Sequence, residues 1–361
     1  VVAEPATADD ASLTLVPPSF EYVTPKADLG LLYNRLVIHA SDRRTLLQSQ
    51  LSLNPRLVQG LYWGSERELA EVERLRLQGT IGSVIAQHGG ASGGGFHMTD
   101  GTKAMSPGFL RQWPHIDANS LPGTGPAHPK HCLQPWPREL SQIASRGDRD
   151  LYEGARVIVP NGMTSHHRIR AFAVTEPASI TTSCSALRLG VGGDALARFV
   201  AAYLCSRFGA YLALLLAPSA VMERTQIKHG ELLELPFRLP SQHSDPVRAQ
   251  AIVKEVARWA AKAEKATLTA PSEDLPQEIE EQIQEYFEIS PTLSVIVSEV
   301  AQLVLPNLQP TTIESVSSPL SRAPTLVELR RYAATLVAEL ERSRRQLDGM
   351  GGFEAQVDVW N

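Results

Sequence analysis

Arg156-Val-Ile-Val-Pro-Asn-Gly162, followed five residues later by Arg168-Ile-Arg-Ala-Phe-Ala-Val174, is the stretch on which the reading of the fold turns. Two runs rich in β-branched and aromatic residues flank Pro160-Asn161-Gly162, a strong turn signal, so the stretch predicts an antiparallel hairpin. Between Gly154 and Thr175 there is no carboxylate, while Arg156, Arg168 and Arg170 stand with His166 and His167. Arg168 and Arg170 are two apart and therefore project from one face of a strand. A two-stranded ribbon fits the major groove of duplex DNA. Asn161, Thr164 and Ser165 at its tip are suited to phosphate contacts or base edges.

Working outward, Ile180 to Leu189 predicts a third strand, Leu189-Gly-Val-Gly-Gly193 a strand-to-helix connection, and Ala195 to Leu216 one apolar helix. Glu231 to Pro236 predicts a turn of helix closed by proline. Amphipathic helices follow at Val247 to Ala266 and Leu275 to Phe287, the latter with Ile279, Ile283, Tyr286 and Phe287 on one face. Upstream, Leu36 to His39 is a short β run and Arg67 to Gln78 has helical spacing. Residues 89–129, rich in Gly, Pro, Ser and His, predict long loops or short hairpins. A last helix, Leu326 to Leu347, alternates apolar steps of three and four, suggesting an interhelical seam. The fold class expected is α+β: a mixed β core with packed helices, then a helical C-terminal segment. The expected divisions are a flexible tail at 1–12, a recognition domain at 13–245, a helical segment at 246–310, a linker at 311–324 and the heptad-like helix at 325–348. Residues 349–361 read as the start of an element that continues in a longer polypeptide.

Composition narrows the function classes. A chain of 361 residues, 43% apolar and 20% charged, has the means to bury a core and is not held open by self-repulsion. Its net charge of −5 excludes a uniformly basic nucleic-acid glove, so any such contact needs a local patch. Residues 273–288 carry seven carboxylates and no Lys or Arg, leaving the rest slightly positive. Cys132, Cys184 and Cys205 are too few and too scattered for a disulfide framework, which points to a reducing cytoplasm. Arg198 and Arg207 interrupt the most apolar stretch, so no membrane span is expected.

Other chemistries fare poorly. Val16-Pro-Pro-Ser-Phe20 has the prolines of an amino-methyltransferase loop, but Val16 cannot accept a side-chain hydrogen bond and Phe20 stands one residue late. The glycines of Gly190 to Gly193 lack the spacing and the downstream acid of a dinucleotide site. His128, His131 and Cys132 have no second pair of ligands to complete a zinc site. Neither a phosphate loop nor a nucleophile elbow is present. Two further basic spots remain: Arg224 with Lys228, and His97 with Lys103 beside Gly93-Gly-Gly95, where absent side chains would permit close approach to a phosphate.

The order of Arg156-Val-Ile-Val-Pro-Asn-Gly, Arg168-Ile-Arg-Ala-Phe, Ser183-Cys-Ser185, Ala201-Ala-Tyr-Leu-Cys-Ser206 and Glu231-Leu-Leu-Glu-Leu-Pro-Phe-Arg-Leu-Pro240 resembles the target-recognition region of adenine-N6 DNA methyltransferases. It is also similar to the specificity subunits of type I restriction-modification systems. With Leu61-Tyr-Trp-Gly-Ser-Glu66 and Glu278 to Ile289, the resemblance spans roughly residues 20 to 305. It implies sequence-specific binding of double-stranded DNA in restriction-modification or phage defence. DNA contacts would come from Arg156, Asn161, Thr164, His166, His167, Arg168, Arg170, Arg224, Lys228, His97 and Lys103. The catalytic motifs of that family are missing here. S-adenosylmethionine is therefore expected not in this chain but in an attached or partner methyltransferase domain, alongside possible further defence subunits. The rival readings are a protein-interaction scaffold without DNA binding and a degenerate nucleotide-binding enzyme using Gly190 to Gly193.

Overall fold

The structure is a computed structural model that describes residues 18–24, 38, 40–54, 57–99, 101, 104–121, 132–220, 225–265 and 275–308, with single positions between 325 and 337. The chain divides into two units, Val1–Leu305 and Pro306–Asn361. The first is α+β, as expected. Among the described residues its central sheet has the order β3-β11-β8-β9, built from β3 (Ala91–Gly94), β8 (Arg156–Pro160), β9 (Phe172–Val174) and β11 (Cys184–Arg188), all antiparallel. β8 and β9 form the predicted hairpin, with Arg156 opposite Val174. The stretch expected as one strand from Ile180 to Leu189 is split by a turn at 181–183 into β10 (Ser179–Ile180) and β11. β10 pairs in parallel with β5 (His115–Ile116), which also pairs with β6 (Leu133–Gln134). β4 (His97–Met98) pairs with β7 (Ile143–Ser145), and β1 (Ser19–Val23) with β2 (Arg43–Leu47).

Within the Gly- and Pro-rich region, Gly93 and Gly94 lie in β3 opposite Ala186 and Ser185, while residues 100, 102, 103 and 122–129 lie outside the described residues. Gly95 is required by packing: a Cβ there would stand 2.0 Å from the Ile180 carbonyl oxygen. At Gly95 this close crossing of two backbone segments is itself what demands glycine.

The expected helix from 195 to 216 is two helices, α5 (Gly193–Cys205) and α6 (Arg207–Leu216), bent by 67°. Ser206 makes the break. Its extended backbone (φ −69°, ψ 164°) ends α5, and its Oγ accepts from Gly209 N at 3.0 Å to cap α6. The turn is tight enough that a Cβ at Gly209 would meet the Tyr203 carbonyl oxygen at 2.5 Å. Among the described residues no single helix is long and apolar enough to cross a membrane. Both helices are instead buried in the protein.

α8 (Pro246–Lys265) packs along α5, and α9 (Gln277–Tyr286) lies against α8. Ile279, Ile283, Tyr286 and Phe287 are all buried, as the amphipathic pattern predicts. Phe199 meets Tyr286 at 4.4 Å between ring centroids, and Phe287 meets Tyr203 at 4.6 Å and Phe208 at 5.1 Å. Each ring fully removed from water contributes about 2 kcal/mol, so this aromatic stack is a main anchor of the helical layer. α3 (Glu66–Gln78) carries a capping box at Ser65 and Glu68, and α7 (His229–Leu233) precedes the extended Pro236-Phe237, whose amide donates to Gly79 O at 3.0 Å. The described positions between 326 and 337 are helical. The tail 1–12, the linker 311–324, most of the Leu36 to His39 run and the segment 349–361 lie outside the described residues.

Candidate nucleic-acid interface

The connection from β8 to β9, residues 161–171, is held by hydrogen bonds within itself. Thr164 N donates to Arg168 O at 3.0 Å and His167 N to Thr164 O at 3.0 Å, while the Thr164 hydroxyl accepts from Arg168 N at 3.1 Å. His167 sits in the left-handed region at φ 55°, where a residue with a Cβ is strained. Its buried ring compensates: Nδ1 donates to Ala220 O at 3.0 Å, so the proton resides on Nδ1. Burial holds its pKa below the ordinary value.

Two other segments are joined to this loop. Asn161 N donates to Ser183 O at 2.8 Å and its side-chain amide to Thr182 O at 3.0 Å, fixing the turn 181–183. On the other side Met163 N donates to Thr225 O at 3.0 Å and Ile227 N to Asn161 O at 2.8 Å, with Gly162 bridged antiparallel to Gln226. Phe96, one residue before His97, bridges Thr181, and Thr182 N donates to Phe96 O. The fold thus gathers Asn161, Ser165, His166, Ser183, Gln226 and Lys228 on one edge, with His97 beside it. Ser165, His166, Ser183, Gln226, Lys228 and His97 are exposed.

The arginines do not join them. Arg156 is fully buried, its guanidinium donating to the carbonyls of Gly154 at 2.9 Å, Glu176 at 3.1 Å and Ala178 at 3.3 Å. Burial pushes its pKa down to about 10. Arg168 is 4% exposed. Arg170 is partly buried and donates to Leu121 O at 2.7 Å and Ala118 O at 3.3 Å, with burial lowering its pKa. The expected positive ridge of Arg156, Arg168 and Arg170 is therefore not formed. A stretch without carboxylates suggested unneutralised charge; carbonyl oxygens take the place of carboxylates as partners of Arg156 and Arg170. Thr164 and His167, also expected at the DNA, are buried and shape the loop from within. Lys103 and Arg224 lie outside the described residues.

One group went unrecognised in the sequence. Glu231, 8% exposed, accepts from Ser219 N at 2.9 Å through one carboxylate oxygen and from Lys228 N at 2.7 Å through the other. Only its place three residues after Lys228, the spacing of a capping box, signals part of this role. Gln226 lies in the segment with Thr225 and Lys228 that reads as surface, but a glutamine in a loop has no periodicity to mark a further role.

The remaining candidates fall into place structurally. Gly190, Gly192 and Gly193 all have positive φ, and a Cβ at Gly190 would stand 2.2 Å from His88 O, so the turn geometry itself demands glycine there. Among the described residues no group of His, Cys, Asp and Glu is arranged to hold a metal ion, and His128 and His131 lie outside them. The three cysteines are buried, and burial pushes the Cys184 thiol up to about 12, leaving it inert. Within the acidic helix, Glu280 is buried and accepts from Arg207 N at 3.0 Å, and Glu285 pairs with Arg248. No protein-family model, curated protein or solved structure matches the chain, so the edge stands on the chemistry of its own residues.

Proposed function

We propose that the chain is a sequence-specific double-stranded DNA-binding module, the specificity part of an adenine-N6 DNA methyltransferase in a restriction-modification or anti-phage defence system. The observation that carries this reading is the polar edge where segments 161–168, 181–183 and 225–228 are tied together by hydrogen bonds while offering exposed polar side chains. Preorganised backbone with exposed polar tips is what base readout needs, since register must be held before a base edge can discriminate. The resemblance of the same segments to target-recognition regions points to the same role.

In this reading Lys228 and His166 approach phosphates, and the loop tips enter a groove. The methyl donor S-adenosylmethionine and the transfer step belong to an attached or partner methyltransferase domain, which this module brings to its site. The test is a fluorescence-polarisation titration of a mixed-sequence duplex and of the matching single strand at two salt concentrations. Duplex binding that weakens as salt rises is expected. A folded chain that binds neither nucleic acid would overturn the reading and favour an interaction scaffold.

A further inference from the structure

We infer that Gln226 is a base-reading side chain directed at an adenine edge, and that Glu231 is the positioning residue that holds it; this rests on the duplex-binding reading above. Gln226 is exposed, and among the described residues nothing in the protein takes its side-chain amide. Its backbone is nonetheless held from both sides. Thr225 O accepts from Met163 N, and Ile227 N donates to Asn161 O. Two residues beyond Gln226, the Lys228 N–H is held by one oxygen of the buried Glu231, whose other oxygen accepts from Ser219 N. Ala220 O is held by the His167 ring, from a backbone conformation that is itself strained.

These bonds satisfy main-chain groups and at the same time fix the backbone from which the Gln226 side chain projects. Such a backbone suits a side chain that must present its amide at a fixed place. The carboxamide of glutamine offers a donor and an acceptor spaced to match N7 and the N6 amino group of adenine in the major groove. Its neighbours are less suitable. The Asn161 amide nitrogen is taken by Thr182 O, the Thr164 hydroxyl by Arg168 N, and the hydroxyls of Thr181 and Ser183 by each other. Gly162, which bridges Gln226, has nothing within 4 Å of where a Cβ would stand, leaving the space beside the glutamine open.

The experiment is enrichment of duplexes from a random library by the full chain, comparing wild type with Gln226→Ala and Glu231→Gln. The wild type should enrich a motif with an A·T pair at one position. Q226A should lose preference at that position by roughly tenfold or more while keeping the others. E231Q should blur the same position, an effect that general destabilisation would not confine to one base pair. A Q226A motif identical to the wild type, or altered equally everywhere, would overturn the base assignment. An unchanged E231Q motif would overturn the positioning role. A wild-type chain that enriches nothing would overturn the duplex-binding reading, and the assignment with it.

Discussion

Arg156 shows how a single residue can be legible in type and misread in role. Its guanidinium, fully buried, satisfies three backbone carbonyls, from Gly154, Glu176 and Ala178. Arg156→Met would leave them without a donor at a cost of about 3 kcal/mol. A thermal melt should show Tm falling by roughly 5 °C or more. A Tm unchanged by R156M would argue that the guanidinium is not part of the core. His243 gives a prediction of a different kind. Burial first, and the Arg238 cation next, push its pKa down to about 4, against the opposing pull of Glu288. The unfolded chain takes up a proton near pH 6.5 that the folded chain refuses until about pH 4. His243 therefore contributes stability that is full above pH 6.5 and is lost as pH falls toward 4, by about 2 kcal/mol. Urea unfolding at pH 7 and pH 4.5 should show this loss, and His243→Gln should lessen it.

At the scale of elements, periodicity was a good guide where a helix is amphipathic and a poor one where it is buried on every side. α3, α8 and α9 follow their apolar spacing closely. The break between α5 and α6 is marked in the sequence only by the polar pair Ser206-Arg207 inside an apolar run, and one such pair does not by itself stop a helix. It depends on Ser206 capping locally and on Glu280, seventy-three residues away in sequence, accepting from Arg207 N. Such a partner cannot be read from the helix's own residues. Glu280→Gln should destabilise the fold by about 1 kcal/mol, because the neutral amide loses the carboxylate's attraction for the α6 N-terminus. Chemical denaturation measures it; an unaltered midpoint would show that the charge is immaterial there.

For the whole molecule, the α+β class and the β8–β9 hairpin were legible, and the candidate site only in part. Asn161, His166, Lys228 and His97 come together at one edge, but Arg156, Arg168 and Arg170 turn inward, because the sequence marks charge without saying which backbone oxygens will meet it. With those three cations withdrawn, the salt dependence of duplex binding should be shallow for a module of this size. Lys228→Glu should lower the slope of log K against log salt by about one. A slope unaffected by K228E would take Lys228 away from the phosphates. The most direct measurement is ultraviolet cross-linking of the full chain to duplex DNA, with the attached peptides mapped by mass spectrometry. The account predicts cross-links within 161–168, 181–183 and 225–228. Cross-links confined to the helices beyond residue 245, or none from a folded chain, would contradict it.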